Sequence, residues 1–115
     1  MTVEELARRL DEPDLVLIDV RSSVEFSGES GYPCDPRQGH LPGARNVPLD
    51  VVFSVPGDEL EGVIGAPKGA EVIVYCHSGS RSSIAATALL RAGYRARNYV
   101  GSWHEWARRE DLPTE

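Results

Sequence analysis

The segment EVIVYCHSGSRSSIAATALLRA, residues 71–92, contains a strand, a loop and a helix in direct succession. Residues 72–75 form an apolar run that predicts a buried strand over 71–75. Residues 82–92 repeat small and apolar side chains at three- and four-residue spacing, which predicts a helix. Cys76 stands between them, at the carboxyl end of the predicted strand. In open α/β sheets this end of the strands is the usual place for a ligand.

The rest of the chain also alternates strands with helices. The predicted strands, ordered along the sequence, cover residues 15–20, 46–49, 71–75 and 95–100. The predicted helices cover residues 2–10, 22–26, 49–53, 82–92 and 102–109. Thr2 with Glu5, and Ser102 with Glu105, have the spacing of capping boxes at helix starts. This alternation predicts one α/β domain around a parallel sheet.

Charge and composition exclude several classes of function. The 115 residues carry a net charge of −6, which argues against nonspecific binding to nucleic acid. No apolar run is long enough to predict a membrane span, and the acidic amino terminus does not resemble a signal peptide. We therefore expect a cytoplasmic protein with no nucleic-acid or membrane partner. The spacing of the two cysteines and three histidines matches no metal-binding pattern, so no metal site is predicted.

Cys76 is the candidate nucleophile. The backbone N–H groups of the loop and the start of the next helix supply positive potential, which favours the reactive thiolate. Small side chains at Ser78, Gly79 and Ser80 let the N–H groups from His77 to Ser82 turn inward, and Ser82 or Ser83 can cap the helix. The alternative is a buried, inert cysteine, which is common at strand ends.

The length of the loop bears on the target of the nucleophile. Four residues separate Cys76 from Arg81, whereas protein tyrosine phosphatases place five residues between their cysteine and arginine. A shorter loop predicts a tighter cradle, better suited to a terminal sulfur on the cysteine than to a phosphoryl group. Arg81 either donates to an anionic oxygen of the substrate or holds the shape of the loop.

Three motifs occur in a characteristic order: LIDVR at 17–21, GHLPGARN at 39–46, and VYC at 74–76 with its loop. Together they resemble the rhodanese family of sulfurtransferases. The ending GSWHEW at 101–106 is similar to the catalytic half of two-domain thiosulfate sulfurtransferases. The resemblance implies a single rhodanese-like domain over residues 1–115, with a mostly parallel sheet flanked by helices on both faces.

The resemblance also implies a reaction. A persulfide forms on Cys76 with sulfane sulfur from a small-molecule donor, such as thiosulfate or a persulfide, and passes to a thiophilic acceptor. No cofactor is implied. The acceptor is either a small nucleophile or a partner protein that receives sulfur for thiolation or cofactor assembly.

Other charged residues have two possible roles each. Arg21 either joins the anion site or, like Asp19, pairs with neighbouring residues and fixes the loops. Arg37 lies in a Cys-Asp-Pro-Arg segment that resembles one in mercaptopyruvate and thiosulfate enzymes, where a nearby arginine contacts the substrate; the alternative is a solvated loop charge. Glu25 stands where those enzymes have an arginine, which argues against a mercaptopyruvate-type substrate. His77 is a general base or, as we favour, a loop residue whose side chain points away from the sulfur.

Two rival functions stay open from the sequence. Cell-cycle dual-specificity phosphatases and some arsenate reductases have a similar fold and cysteine loop. Some rhodanese-like domains are noncatalytic binding modules, although these have often lost the cysteine. Cys34 either resolves the persulfide by forming a disulfide with Cys76 or is an ordinary loop thiol.

Overall fold

Four parallel strands form the central sheet of the structure, a computed structural model that describes residues 1–115. The strands are β1 (Leu17–Asp19), β2 (Arg45–Asn46), β3 (Glu71–Tyr75) and β4 (Arg95–Asn98). Their order across the sheet is β2-β1-β3-β4. The two most apolar strands, β1 and β3, therefore lie at the centre, as expected for strands covered on both faces. Asp19 pairs with Tyr75, so β1 and β3 end together at the sheet edge where Cys76 follows.

Helices cover both faces of the sheet. They are α1 (Val3–Arg9), α2 (Ser23–Ser27), α3 (Leu49–Ser54), α4 (Leu60–Ile64), α5 (Ser80–Arg91) and α6 (Ser102–Trp106). Successive side chains of β3 alternate between two cores. Val72 and Val74 pack with residues of α3, α4 and α5. Ile73 and Tyr75 pack with residues of α1 and α6. The predicted α/β architecture with helices on both faces is confirmed.

The elements lie close to their predicted positions, with two differences. Strands β1, β2 and β4 are shorter than predicted, whereas β3 has its predicted bounds. Helix α4 was not predicted. Two of the capping predictions are wrong. Ser102 lies inside α6 with a φ of 54°. Helix α5 has no side-chain cap because its N-cap residue is Gly79, and Ser82, inside the helix, directs its hydroxyl to Cys76. The cap at Thr2 is confirmed by a 3.1 Å hydrogen bond from the Glu5 N–H.

None of the helices is both long enough and apolar enough to span a membrane.

Candidate active site

The Cys76 sulfur lies at the base of the loop between β3 and α5. The residue is 1% exposed, and its Sγ accepts hydrogen bonds from the Gly79 N–H at 3.0 Å and the Ser82 hydroxyl at 3.3 Å. Burial raises the pKa of the Cys76 thiol, but hydrogen bonds from Ser82, Gly79 and Ser78 outweigh it, so the net pKa is lowered. The loop thus stabilises a thiolate, which is the nucleophilic form of cysteine.

Gly79 is required for the shape of this loop. Its φ is 100°, and a Cβ atom added there would lie 2.8 Å from the carbonyl oxygen of Val100. Any other residue would therefore be both strained and in collision with the backbone. Ser78 and Ser80, on either side, are exposed. The loop thus presents only small side chains to solvent above the buried sulfur.

The start of α6 holds the base of the loop. The Ser102 hydroxyl accepts a hydrogen bond from the Cys76 N–H at 3.0 Å and donates to the Tyr99 carbonyl at 2.9 Å. The N–H groups of Trp103 and His104 donate to the Cys76 and His77 carbonyls at 3.0 and 2.9 Å. Sequence reasoning missed this role of Ser102, although its position in the Gly-Ser-Trp motif directly after β4 was the available signal.

Arg81 is bound to Glu25. Its Nη1 and Nη2 donate to the two carboxylate oxygens of Glu25 at 2.8 and 3.1 Å, a bidentate pair of the kind that fixes both side chains. Ser22 caps α2 and donates to the same carboxylate at 3.0 Å. The hydrogen bond from Arg81 lowers the pKa of Glu25 to about 2 against the opposing effect of burial. Of the two roles predicted for Arg81, this contact supports that of holding the loop.

Arg21 is buried beneath the site rather than open to it. The residue is 1% exposed, and its guanidinium donates to Asp19 at 2.8 to 3.1 Å and to the Gly39 carbonyl at 2.6 Å. It also lies 5.1 Å from the centre of the Trp103 ring. A dissolved anion does not reach this charge, so the pairing with Asp19 replaces the substrate contact predicted for Arg21.

Arg37 binds the carboxyl-terminal segment. Its guanidinium donates to four backbone carbonyls at 2.7 to 3.2 Å, those of Trp106, Ala107, Arg109 and Leu112. Two of these carbonyls, those of Trp106 and Arg109, also accept backbone N–H groups. The five N–H donors of a guanidinium can bind several carbonyls at once. The guanidinium of Arg37 thus has its hydrogen-bond partners within the protein. We do not include the predicted contact of Arg37 with substrate in the proposed site.

The His77 side chain points toward Asp35. Its Nε2 lies 2.8 Å from the Asp35 carboxylate, and its ring stacks on Tyr32 with 3.8 Å between centroids. The other Asp35 oxygen accepts a 2.8 Å hydrogen bond from Arg108. His77 therefore joins the loop to residues 32–35 by its side chain, and contributes to the site through its backbone.

One group of side chains has metal-ligating atoms close together: those of Cys34, Asp35 and His104 lie within 4.8 Å of one another. The Arg108 guanidinium already binds the Asp35 oxygen nearest this group. Its positive charge stands where a cation would have to bind, so we assign no metal to these residues. Cys34 is exposed, and both cysteines are free thiols.

A cavity of about 310 Å³ lies beside the loop. It is lined by Ser22, Val24, Glu25, Ser30, Gly31, Tyr32 and Pro33. Two of these residues contact the loop directly, Glu25 through Arg81 and Tyr32 through His77. The cavity therefore adjoins residues that contact the loop, and it offers space for the body of a substrate.

A buried cysteine at the carboxyl edge of a parallel α/β sheet, with its sulfur hydrogen-bonded by the loop that follows, is the arrangement of a cysteine-nucleophile domain. The chain belongs to the family of rhodanese-like domains, whose family model matches residues 2–109. The resemblance identified from the sequence motifs is thereby confirmed.

Relatives and solved structures agree with this family. The chain is 41% identical over 117 residues to a putative thiosulfate sulfurtransferase of Haloferax volcanii, covering 88% of this chain and 41% of the relative. It is 35% identical over 113 residues to the sulfur carrier protein TtuD of Thermus thermophilus, covering 84% and 40%. A crystal structure of a probable thiosulfate sulfurtransferase superposes with a TM-score of 0.85 at 48% identity, covering all of this chain and 46% of the other. The chain thus spans less than half the length of each.

Proposed function

We propose that this domain is a sulfurtransferase that carries sulfane sulfur as a persulfide on Cys76. One observation carries the proposal: the Cys76 sulfur accepts hydrogen bonds from Gly79 and Ser82, and these lower the pKa of the Cys76 thiol. The thiolate attacks the outer sulfur of a donor. With thiosulfate, the new Cys76 S–S bond forms as the S–S bond of the donor breaks, and sulfite leaves with the electron pair.

The second half-reaction returns the enzyme to its starting state. A thiophilic acceptor, such as cyanide or a thiol, attacks the outer sulfur of the persulfide, and the Cys76 thiolate is the leaving group. The same N–H donors that stabilise the thiolate stabilise the charge on the persulfide. The cycle divides one transfer into two displacements at sulfur. Neither displacement calls for a cofactor.

The names of the relatives support the class of substrate. Two of them are called thiosulfate sulfurtransferases and one a sulfur carrier protein. The donor is accordingly a small molecule with sulfane sulfur, and the carrier relative favours a protein as one possible acceptor. We infer that residues 1–115 act as a single domain. Cys76 must be a free thiol to react, and thiols stay reduced in the cytoplasm. We therefore propose a cytoplasmic location.

The two rival functions fit the site less well. A phosphatase or arsenate reductase needs a guanidinium free to bind the oxyanion, whereas Arg81 is paired with Glu25. A noncatalytic binding module has no need of a stabilised thiolate, and this domain retains one.

An enzyme assay separates these functions. The protein is incubated with thiosulfate and cyanide, and separately with an aryl phosphate. We expect thiocyanate from the first mixture and no phosphate release from the second, with Cys76→Ser abolishing thiocyanate formation. Phosphate release that depends on Cys76, without thiocyanate, would contradict the proposal. The absence of both activities would favour the binding module.

A further inference from the structure

The positive charge of Arg81, which acts on the nucleophile, is balanced by a fixed negative charge. Arg81 helps to set the electrostatics of the loop, and the Cys76 thiolate interacts favourably with it. Both terminal nitrogens of Arg81 are nevertheless directed to the Glu25 carboxylate, at 2.8 and 3.1 Å. Ser22 donates to that carboxylate from the cap of α2 and fixes its position. A substrate anion therefore meets an ion pair at this point, instead of a free cation.

The other two arginines predicted as anion contacts do not replace it. The Arg21 charge is buried and balanced by Asp19. The Arg37 guanidinium is bound to backbone carbonyls. None of the three predicted contacts therefore offers a guanidinium free for a dianion such as thiosulfate. The chain as a whole is acidic, with a net charge of −6.

The cavity beside the loop suits an uncharged organic group. Glu25 is the only charged residue that lines it. The rest of its wall consists of hydroxyl groups, backbone, and the side chains of Val24, Tyr32 and Pro33. Val24 and Tyr32 are 44% and 48% exposed, so a bound group would cover apolar surface there. Thiosulfate, a dianion with no apolar group, gains nothing comparable from this wall.

From these contacts we propose that Glu25 sets the donor specificity by neutralising Arg81, so that the domain takes sulfur from monoanionic donors with an uncharged organic group in preference to thiosulfate. Such donors include the persulfide R–S–S⁻ of a neutral thiol, whose R group would lie in the cavity. This inference rests on the proposed function, because it concerns the sulfur that reaches Cys76.

The transfer balances without any further reactant. The Cys76 thiolate bonds to the outer sulfur of R–S–S⁻, the S–S bond of the donor breaks, and R–S⁻ leaves with the electron pair. One negative charge enters with the donor and one leaves with the thiolate. With thiosulfate, two enter and two leave as sulfite, so the difference between the donors is the charge that the site must accept.

Two stable donors test the role of charge directly. Thiosulfate and methanethiosulfonate both carry a terminal sulfane sulfur, but the second has a methyl group in place of one anionic oxygen. The second-order rate constant of Cys76 persulfide formation is measured with each donor by intact-mass spectrometry over time. In the unaltered protein we expect methanethiosulfonate to react faster. Glu25→Gln keeps the capping interaction of α2 but releases the charge of Arg81. In this variant the rate constant with thiosulfate should rise about tenfold.

The control is Glu29→Gln, which removes an exposed negative charge close in sequence without releasing Arg81. We expect this variant to change the two rate constants equally and by less than about twofold, because an exposed charge is screened. The inference is overturned if thiosulfate is the better donor of the unaltered protein, or if Glu25→Gln leaves the ratio of the two rate constants unchanged. An equal fall with both donors would show a purely structural role for Glu25 and also overturn it. Failure of both donors to form any persulfide would refute the proposed function itself.

Discussion

The Ser82 hydroxyl donates a hydrogen bond to the Cys76 sulfur across the first turn of α5, at 3.3 Å. Both residues are buried, and Ser82 has no role in capping the helix. The hydrogen bond places a neutral donor beside a sulfur that burial alone would keep protonated. Ser82 is therefore a positioning residue whose effect is on the protonation of the nucleophile.

Ser82→Ala should move the pKa of the Cys76 thiol upward. At pH 7 a smaller fraction of Cys76 is then present as thiolate in the variant than in the unaltered protein. The rate of persulfide formation at this pH should therefore fall by roughly tenfold. The pH dependence of Cys76 alkylation by iodoacetamide measures the shift. The exposed Ser83→Ala is the matched control and should leave the curve in place. An unchanged midpoint in Ser82→Ala would contradict the role given to this hydroxyl.

Ser102→Ala should destabilise the fold. It leaves the buried Cys76 N–H without its acceptor, which costs about 1–3 kcal/mol of unfolding free energy. Urea denaturation measures the loss. Ser54→Ala removes an exposed hydroxyl with a local contact to the Val51 carbonyl and should change stability by less than about 0.5 kcal/mol. Equal stability of the two variants would show that Ser102 does not hold the loop.

Arg37→Ala should loosen the carboxyl-terminal segment while leaving the site intact. Four carbonyls between residues 106 and 112 lose a charged donor, so amide hydrogen exchange in this segment should become faster. The KM for thiosulfate should stay within about twofold, because the guanidinium acts on backbone and not on substrate. A large rise in KM with unchanged hydrogen exchange would instead establish the substrate contact expected from the sequence.

The Glu25–Arg81 pair should make stability depend on pH. The pKa of Glu25 is lowered from 4.5 to about 2 in the folded state, so its stabilising effect is complete above pH 4.5 and is lost as the pH falls toward 2. Arg81 is about one-third exposed, so water screens the pair. We therefore expect the free energy of unfolding at pH 7 to be only about 1 kcal/mol higher in the unaltered protein than in Glu25→Gln. The difference should vanish near pH 2. A difference that is the same at both pH values would exclude this linkage.

Much of the fold follows from local patterns. The apolar runs at 15–20 and 71–75 and the spacing of apolar residues in 82–92 predicted the central strands and the main helix, because burial on both faces leaves a clear signal. The nucleophile and its loop were also predictable, because the strand end and the small residues of the loop are adjacent in sequence. Helix α4, which is capped at its C-terminus by Gly65, is only five residues long and is too short for its periodicity to be recognised.

Contacts between distant segments were not predictable. Glu25 and Arg81 are 56 residues apart, and nothing in either local sequence shows that they pair. The same holds for Arg37, whose partners lie about 70 residues later. Ser102 was assigned to a cap because serine with glutamate three residues on usually marks one. The tertiary hydrogen bonds to Cys76 and Tyr99 take precedence over that preference here.

We expect Cys76 to carry sulfur, and intact-mass spectrometry after treatment with a sulfane donor decides this point. The mass should increase by about 32 Da, for one sulfur atom added to the cysteine. Cyanide should remove it with release of thiocyanate, and Cys76→Ser should not acquire it, whereas Cys34→Ser should. The claim would be contradicted if neither thiosulfate nor methanethiosulfonate modified the protein. It would also be contradicted if the mass increase persisted in Cys76→Ser.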